Sequence, residues 1–276
     1  MDPTTDTKYG LQSEADPAYV PPAPAPPPGQ ALPGQQPVVQ WMPQPQSSLG
    51  CPPGLEYLTQ LDQILVHQQV ELLEAFSSWE SKNKYQIKNV LGQQVYFAAE
   101  ESEDCSRQCC GSDRSFVMHI VDNMNQEVIR AVRPFVGCCL FCWCADCSDD
   151  CAYAISVESP PGQTVGYVRQ RASGWSPHYE IRDANSEVIL KIRGPCCPYQ
   201  GVGCTEDVDF SVLSADESHI VGKISKQWAG LAKEWYTNAD NFGISFPKDL
   251  DVKAKATLLG ALFLIDFMYF EDNNNN

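Results

Sequence analysis

The chain ends in a segment that would be apolar on every face of a helix. "AKATLLGALFLIDFMYF", residues 254–270, has no polar stripe at helical spacing, and Asp266 is its only acidic residue. A helix of this kind needs apolar surroundings on all sides. The apolar run before Asp266 is about ten residues, whereas a membrane span needs about 20. The sequence therefore favours a helix at about 253–270 that fills a closed β-barrel. A single membrane span is the second alternative.

The region before this helix consists of short segments in which apolar and polar residues alternate. "ILVHQQVEL", which begins at Ile64, is the clearest of them. Similar segments recur, giving about ten to twelve strands, with turn sequences such as "NVLG", "DNMNQ", "DANSE" and "SADES" among them. This pattern is typical of an all-β sandwich or barrel. We place the folded domain at 54–271 and a polar tail at 272–276.

Residues 1–53 hold 14 of the 21 prolines. Such a segment buries too little apolar surface to offset its ordering entropy, so it is predicted to be disordered with polyproline II character. Pro21, Pro24 and Pro27 form two P-x-x-P repeats, a ligand pattern for SH3-type domains. A flexible spacer is the alternative role.

Composition and charge exclude several functional classes. The formal net charge of −16 argues against sequence-independent nucleic-acid binding and against simple electrostatic adhesion to an anionic membrane. The polar N-terminus has no signal peptide, so the thiols are expected in the reducing cytosol. His67, His119, His178 and His219 are isolated and are expected on strand surfaces or turns. We find no phosphate-loop, dinucleotide, nucleophile-elbow or zinc-protease motif, and predict no covalent or acid–base enzyme.

Six cysteines crowd the segment "CCLFCWCADCSDDC", residues 138–151, together with Leu140, Phe141 and Trp143. Its two C-x-x-C pairs, which begin at Cys139 and Cys144, are separated by one residue, unlike the roughly 12–20 residues between the pairs of a zinc site. Thiols beside large apolar side chains fit S-acylation, and several acyl chains give stable anchoring where one does not. Two alternatives stay open: an unmodified loop, and zinc held with the outlying cysteines of 105–110 and 196–204.

Several long stretches in the same order resemble the phospholipid scramblase family. They include "CPPGLEYLTQLDQILVHQQVELLEAFSSWESKNKYQIKN", "VGKISKQWAG" and "NADNFGISFPKDLDVKAKATLLGALFLIDFMYFE". The resemblance implies a tubby-like fold, a closed barrel of roughly 12 strands around the C-terminal helix. It also implies calcium-dependent, ATP-independent, bidirectional movement of phospholipids between leaflets, and a protein on the cytoplasmic face of the plasma membrane or of single-pass type II topology. Multiple palmitoylation is implied at Cys138, Cys139, Cys142, Cys144 and Cys147.

The family's calcium segment falls on residues 238–249. Taken as a 12-position loop, its positions 1, 3, 5, 7, 9 and 12 are Asn238, Asp240, Phe242, Ile244, Phe246 and Asp249. Phenylalanine at two ligand positions, and Asn238 where the family usually has aspartate, predict a weak site. The alternative is a plain strand, "FGISF", flanked by acidic residues.

"GKISKQWAG", residues 222–230, resembles the family's nuclear-import segment through Lys223 and Lys226, which would allow a minor nuclear pool. Gln227 stands where an importing relative has histidine, and the alternative is a strand and turn with two exposed lysines. Two functions follow from the whole sequence. One is a lipid scramblase, for which a homo-oligomer or local bilayer thinning would be required. The other is an acylated adaptor that recruits SH3-type partners and moves no lipid.

Overall fold

The structure is a computed structural model that describes residues 39–47, 50–69, 83–103, 113–137, 145–147, 151–196, 208–226 and 241–270. Within these residues, a short 3₁₀ helix at Glu56–Gln60 is followed by twelve strands and one α-helix, α1, at Val252–Tyr269. The strands are β1 Gln63–Gln69, β2 Lys84–Lys88, β3 Gln94–Glu101, β4 Phe116–Val121, β5 Glu127–Arg133, β6 Ala154–Glu158, β7 Thr164–Arg171, β8 His178–Asp183, β9 Val188–Arg193, β10 Val208–Ser214, β11 Ile220–Lys226 and β12 Asn241–Ser245.

The strands form one closed antiparallel barrel. Each strand pairs with its neighbours in the chain, and β1 pairs with β12 from Gln63–Ser245 to His67–Asn241. Closure leaves neither β1 nor β12 as an unpaired edge strand. The predicted barrel of about twelve strands around a C-terminal helix is confirmed.

The antiparallel order gives the barrel two different ends. We call the end reached after even-numbered strands the turn end, because the hairpin turns there are short. Asp122 Oδ1, for example, accepts from the backbone N–H groups of Met124 and Gln126 at 2.9 Å each. Asparagine and aspartate stabilise such turns by mimicking a backbone bond. We call the end reached after odd-numbered strands the connection end, because its connections are longer, up to residues 134–153 between β5 and β6.

Helix α1 occupies the barrel interior and runs from the turn end towards the connection end. Asp251 caps its first turn by accepting from the backbone N–H groups of Lys253 and Ala254 at 2.8 and 3.3 Å. Phe263 packs edge-on against Tyr85 of β2, and Phe267 stacks on Phe116 of β4, with ring centroids 5.1 and 4.2 Å apart. Every residue from 254 to 267 is buried, which fits the absence of a polar stripe in the sequence.

Two features adapt α1 to this interior. A Cβ at Gly260 would come 2.5 Å from Val157 Cγ2 of β6, so the absence of a side chain lets helix and wall approach closely. The buried Asp266 carboxylate accepts from the Tyr85 hydroxyl at 2.8 Å, which satisfies the one acid of the helix. No helix in the ranges given above has the length and apolar character needed to cross a bilayer.

Residues 39–47, which the sequence assigns to the proline-rich tail, contact the barrel. The Met42 N–H donates to the Gln94 carbonyl at 2.8 Å, and the Trp41 ring lies edge-on to Phe97 on the outside of β3. The compact unit that contains the barrel includes these residues. Residues 1–38, with Pro21, Pro24 and Pro27, lie outside the described residues.

Candidate functional site

The cysteine-bearing connections all leave the barrel at the connection end. Cysteines 105, 109 and 110 belong to the β3–β4 connection, cysteines 138–151 to β5–β6, and cysteines 196, 197 and 204 to β9–β10. Cys147 and Cys196 are described, and both are exposed, whereas Cys151 is buried. The remaining predicted acylation sites, Cys138, Cys139, Cys142 and Cys144, lie outside the described residues. The strand order thus starts all three cysteine-bearing connections at the same end of the barrel.

A three-residue turn, 145–147, fixes Cys147 against the neighbouring hairpin. Ala145 is fully buried, and the backbone N–H of Ala172 donates to Asp146 Oδ2 at 3.1 Å. Arg171 Nε lies 3.3 Å from Asp146 Oδ1. These contacts hold the turn on the end of β7 while the Cys147 thiol faces solvent. An exposed thiol held in place is a suitable acceptor for an acyl chain.

A charged cleft of about 230 Å³ lies beside this turn, on the outside of β7, β8 and β9. Lys191 Nζ and Arg193 Nη2 each reach a Glu217 carboxylate oxygen, at 2.9 and 2.5 Å. Burial lowers the pKa of His178, and the Arg193 guanidinium lowers it further. The cleft therefore presents charges of both signs to solvent. Sequence reasoning missed it, although basic residues at alternate positions of neighbouring strands were a usable signal.

Comparison with known protein families identifies the family of this chain. A family model described as "Scramblase" matches residues 42–272. The chain belongs to the scramblase family. Its match begins with the segment that contacts β3 and continues past the end of α1, so it includes the barrel, the cysteine-bearing connections and the helix.

Curated relatives agree with this assignment. The chain is 52% identical to phospholipid scramblase 2 of Bos taurus over 241 residues, which cover 87% of this chain and 78% of the relative. It is 52% identical to phospholipid scramblase 1 of Homo sapiens over 237 residues, covering 86% and 72%. It is 47% identical to phospholipid scramblase family member 5 of Homo sapiens over 261 residues, covering 92% and 93%. No solved structure matches the chain significantly.

In this scramblase-family chain, the predicted calcium segment contains strand β12. Phe242, Ile244 and Phe246 are 2%, 0% and 4% exposed and belong to the core. Asn238 and Asp240 lie outside the described residues, just before β12 in the chain. Asp249 is exposed beyond the other end of β12, at the turn end. Strand β12, Asn241–Ser245, occupies positions 4–8 of the predicted 12-position loop, and calcium binding there stays a prediction. Among the residues that the structure describes, no three acidic, histidine or cysteine side chains form a metal site.

The surroundings of Asp249 contain a cation supplied by the protein itself. The buried Lys255 ammonium donates to the carbonyls of Leu58, Leu61 and Lys248 at 2.9, 2.8 and 2.7 Å. Burial lowers the pKa of Lys255, while Asp62 and Asp249 oppose that shift. This ammonium links α1 to the 3₁₀ helix region and to the β12–α1 connection. The negative charges of Asp62 and Asp249 thus favour the charged form of the buried lysine.

The segment that resembles a nuclear-import signal is mostly strand β11. Lys223 Nζ is partly exposed and pairs with Asp209 at 2.9 Å. Lys226 is only 3% exposed, and its ammonium lies 4.4 Å from the centroid of the Phe270 ring. The expectation of two exposed lysines is thus wrong for Lys226, because its ammonium lies over the rings of Phe242 in β12 and Phe270 at the end of α1.

The four histidines lie on strands or in a turn, as predicted. His119 differs from the others, because it is buried on the outer face of β4 between two carboxylates. Its Nε2 lies 2.7 Å from Glu101 and its Nδ1 2.7 Å from Glu127. These contacts join β3, β4 and β5 on the outside of the barrel and explain the histidine structurally.

Proposed function

We propose that this chain moves phospholipids in both directions between membrane leaflets without ATP. The observation that carries the proposal is the scramblase-family match over residues 42–272, supported by about half identity to proteins named phospholipid scramblases. The charged outer face of β7–β9 supports it further, because a phospholipid headgroup carries a phosphate and often an ammonium.

The filled interior constrains the mechanism. Side chains of α1 pack against the barrel wall throughout, as shown by the full burial of Leu258, Leu262 and Leu264. A headgroup therefore has no path through the barrel and must travel along its outside. The hydrocarbon core to be crossed is about 30 Å thick. We propose that local bilayer thinning, or a homo-oligomer that places two outer faces together, shortens this path.

Acyl chains on Cys138, Cys139, Cys142, Cys144 and Cys147 are the proposed attachment to the cytoplasmic face of the plasma membrane. The exposed thiol of Cys147 and the shared barrel end of the cysteine-bearing connections support this attachment. A net charge of −16 opposes adhesion to anionic lipid, so hydrophobic anchoring has to supply the attraction. Calcium remains a proposed activator, with ligands sought at the start of β12, near Asp240, and not at Asp249.

An acylated adaptor is the second candidate, and the filled barrel favours it because the fold offers no interior route for lipid. In that case the P-x-x-P repeats would recruit SH3-type proteins, and lipid movement would belong to a partner. Purified chain in vesicles separates the two functions. Dye-labelled phospholipid is bleached from outside, with and without calcium.

A scramblase exposes label from both leaflets to the bleach, whereas an adaptor leaves the inner-leaflet label intact. The triple variant Pro21→Ala, Pro24→Ala, Pro27→Ala is the matched control. It should scramble like the unchanged protein if lipid transport is intrinsic, and it should lose SH3 binding only. Bleaching limited to the outer leaflet at every protein density would contradict the proposed transport.

A further inference from the structure

We propose that the barrel meets the lipid surface with one sector of its connection end, running from the end of β5 to β9. Trp175 and Phe135 enter the headgroup region, and basic side chains of β7–β9 face lipid phosphates. This inference rests on the membrane association contained in the proposed function. It assigns an orientation to the barrel and a binding role to side chains outside the cysteine cluster.

Exposed aromatic residues distinguish this end. Trp175, in the β7–β8 connection, is 72% exposed, and Phe135, just after β5, is 56% exposed. The turn end also exposes large apolar side chains, among them Leu91 at 78%, Ile220 at 73% and Met124 at 57%, so exposure alone does not separate the ends. The type of exposed side chain does separate the ends, because Trp and other aromatic rings prefer the membrane interface, where an apolar region meets a polar one.

The position of Cys147 points to the same sector. Its turn is held on the end of β7 by Arg171 and by the Ala172 N–H. Trp175 lies three residues after Ala172 in the chain. An acyl chain on Cys147 would therefore enter the bilayer near the indole of Trp175. Cys196, exposed three residues after Arg193 at the end of β9, belongs to the neighbouring connection of the same sector.

Charge favours the same orientation. The outer face of β7–β9 carries five cations against three carboxylates, and Asp146, Glu180 and Glu217 pair with four of the five. The five cations are Arg169, Arg171, Arg182, Lys191 and Arg193. This local excess stands out in a chain of net charge −16. The turn end instead exposes the carboxylates of Asp62, Glu187, Asp216, Asp249 and Asp251.

Anionic lipid attracts the basic face and repels those carboxylates. The connection end is not uniform around the barrel, because Glu101 at the end of β3 and Glu103 just after it are exposed, away from β8 in the strand order. The contact is therefore a sector and not a flat ring, and the barrel is expected to lie tilted with β7–β9 towards the lipid.

The test is co-sedimentation of the purified full chain with vesicles of phosphatidylcholine, alone or mixed with phosphatidylserine. Trp175→Ser and Phe135→Ser are compared with Leu91→Ser and Met124→Ser, whose original side chains are similarly exposed at the turn end. Trp175→Ser should weaken binding about tenfold, from the apolar area withdrawn from lipid. Phe135→Ser should weaken it less, and the two turn-end variants should bind like the unchanged chain.

A second pair tests the charges. Lys191→Gln with Arg193→Gln should weaken binding several-fold to vesicles that contain phosphatidylserine, and less to phosphatidylcholine alone. Lys248→Gln with Lys253→Gln, two exposed lysines at the turn end, should leave both affinities unchanged. Equal losses for both pairs would overturn the proposed orientation, as would equal losses for all four apolar variants.

Fluorescence gives a measurement that does not depend on how well a serine variant folds. Brominated lipid should quench part of the tryptophan emission of the unchanged chain, and Trp175→Phe should reduce that quenched part while binding persists. Unchanged quenching in Trp175→Phe would refute the insertion. If the variants show the predicted pattern of vesicle binding but the chain moves no lipid, the proposed membrane-binding sector is supported and the proposed transport is contradicted.

Discussion

At the scale of single residues, the barrel buries several ionisable groups and gives some of them specific partners. Lys255 donates to three carbonyls, and the buried Arg114 pairs with the buried Glu100 at 3.0 Å. Burying an unpaired charge would cost several kcal/mol, so such contacts decide whether the fold tolerates these residues. None of them was predicted from the sequence, because the alternating pattern gives the direction of a side chain but not its partner across the barrel.

Lys88, on β2, should make stability depend on pH. Burial lowers its pKa from 10.5 to about 8, so between these values the unfolded chain binds more protons than the folded one. The free energy of unfolding should therefore rise as pH increases through that window, and the cost of burial is largest below it. Lys88→Met should remove this rise, measured as the thermal midpoint against pH. Lys248→Met, at an exposed site, is the control. Parallel pH profiles for the unchanged protein and Lys88→Met would contradict the prediction.

Calcium binding by the segment around β12 should respond differently to changes at Asn238, Asp240 and Asp249. The segment offers few carboxylates, so binding in the class of about 10⁻⁴–10⁻³ M is expected. Asn238→Asp adds a carboxylate and should tighten binding, and Asp240→Ala should weaken it. Asp249→Ala should leave it unchanged, because β12 separates Asp249 from the other two. Calorimetric titration compares them. Identical titrations for all four proteins would mean that this segment binds no calcium, and loss of binding in Asp249→Ala would contradict the separation.

At the scale of elements, the helix was the most predictable part of the fold. An all-round apolar segment predicted a helix at about 253–270, and the structure has it at Val252–Tyr269. Strand positions were also accessible, since Ile64 and Val66 alternate with outward residues as expected. The contacts that bring Asp146 to Arg171 could not be predicted, because they depend on barrel closure and on a connection without periodicity. The contacts of residues 39–47 with the barrel were not predicted either, because the prolines around Trp41 are typical of the disordered tail.

Leu262→Lys should destabilise the whole barrel. Leu262 is fully buried in α1, so an unpaired ammonium there would cost several kcal/mol, a large part of a domain's stability. Thermal unfolding of the purified protein checks this, with Leu91→Lys, at a site 78% exposed, as the matched control. If Leu262→Lys melts cooperatively at the same temperature as Leu91→Lys, the helix is not the core of the fold.

At the scale of the whole molecule, the two ends of the barrel differ in the residues they present. Short turns and the ammonium of Lys255 close one end of the barrel, and the exposed Cys147, Cys196, Trp175 and Phe135 lie at the other. The sequence predicted the acylation cluster from composition, but the shared barrel end of the three cysteine-bearing connections follows from strand order. That order is a property of the closed sheet and is invisible in any single segment.

Replacing Cys138, Cys139, Cys142, Cys144 and Cys147 together by alanine should release the protein from the plasma membrane. Acyl chains supply most of the attraction in this account, because the net charge opposes it and the membrane-binding sector contributes only a part. Fractionation of cells that express the variant measures the effect. The control replaces Cys51 and Cys151, which are not at predicted acylation sites, and should stay membrane-bound. A quintuple variant that still sediments with membranes would point to another anchor.

The central claim is that α1 is the core of the barrel and not a membrane span. The most direct test determines on which side of the membrane the two ends of the chain lie. Epitope tags are placed before Met1 and after Asn276, and intact cells are treated with an impermeant antibody before and after permeabilisation. A helix buried inside the barrel, with Leu258 and Leu262 fully enclosed, predicts that both tags are reached only after permeabilisation. Labelling of the C-terminal tag on intact cells, with the N-terminal tag still protected, would contradict the account.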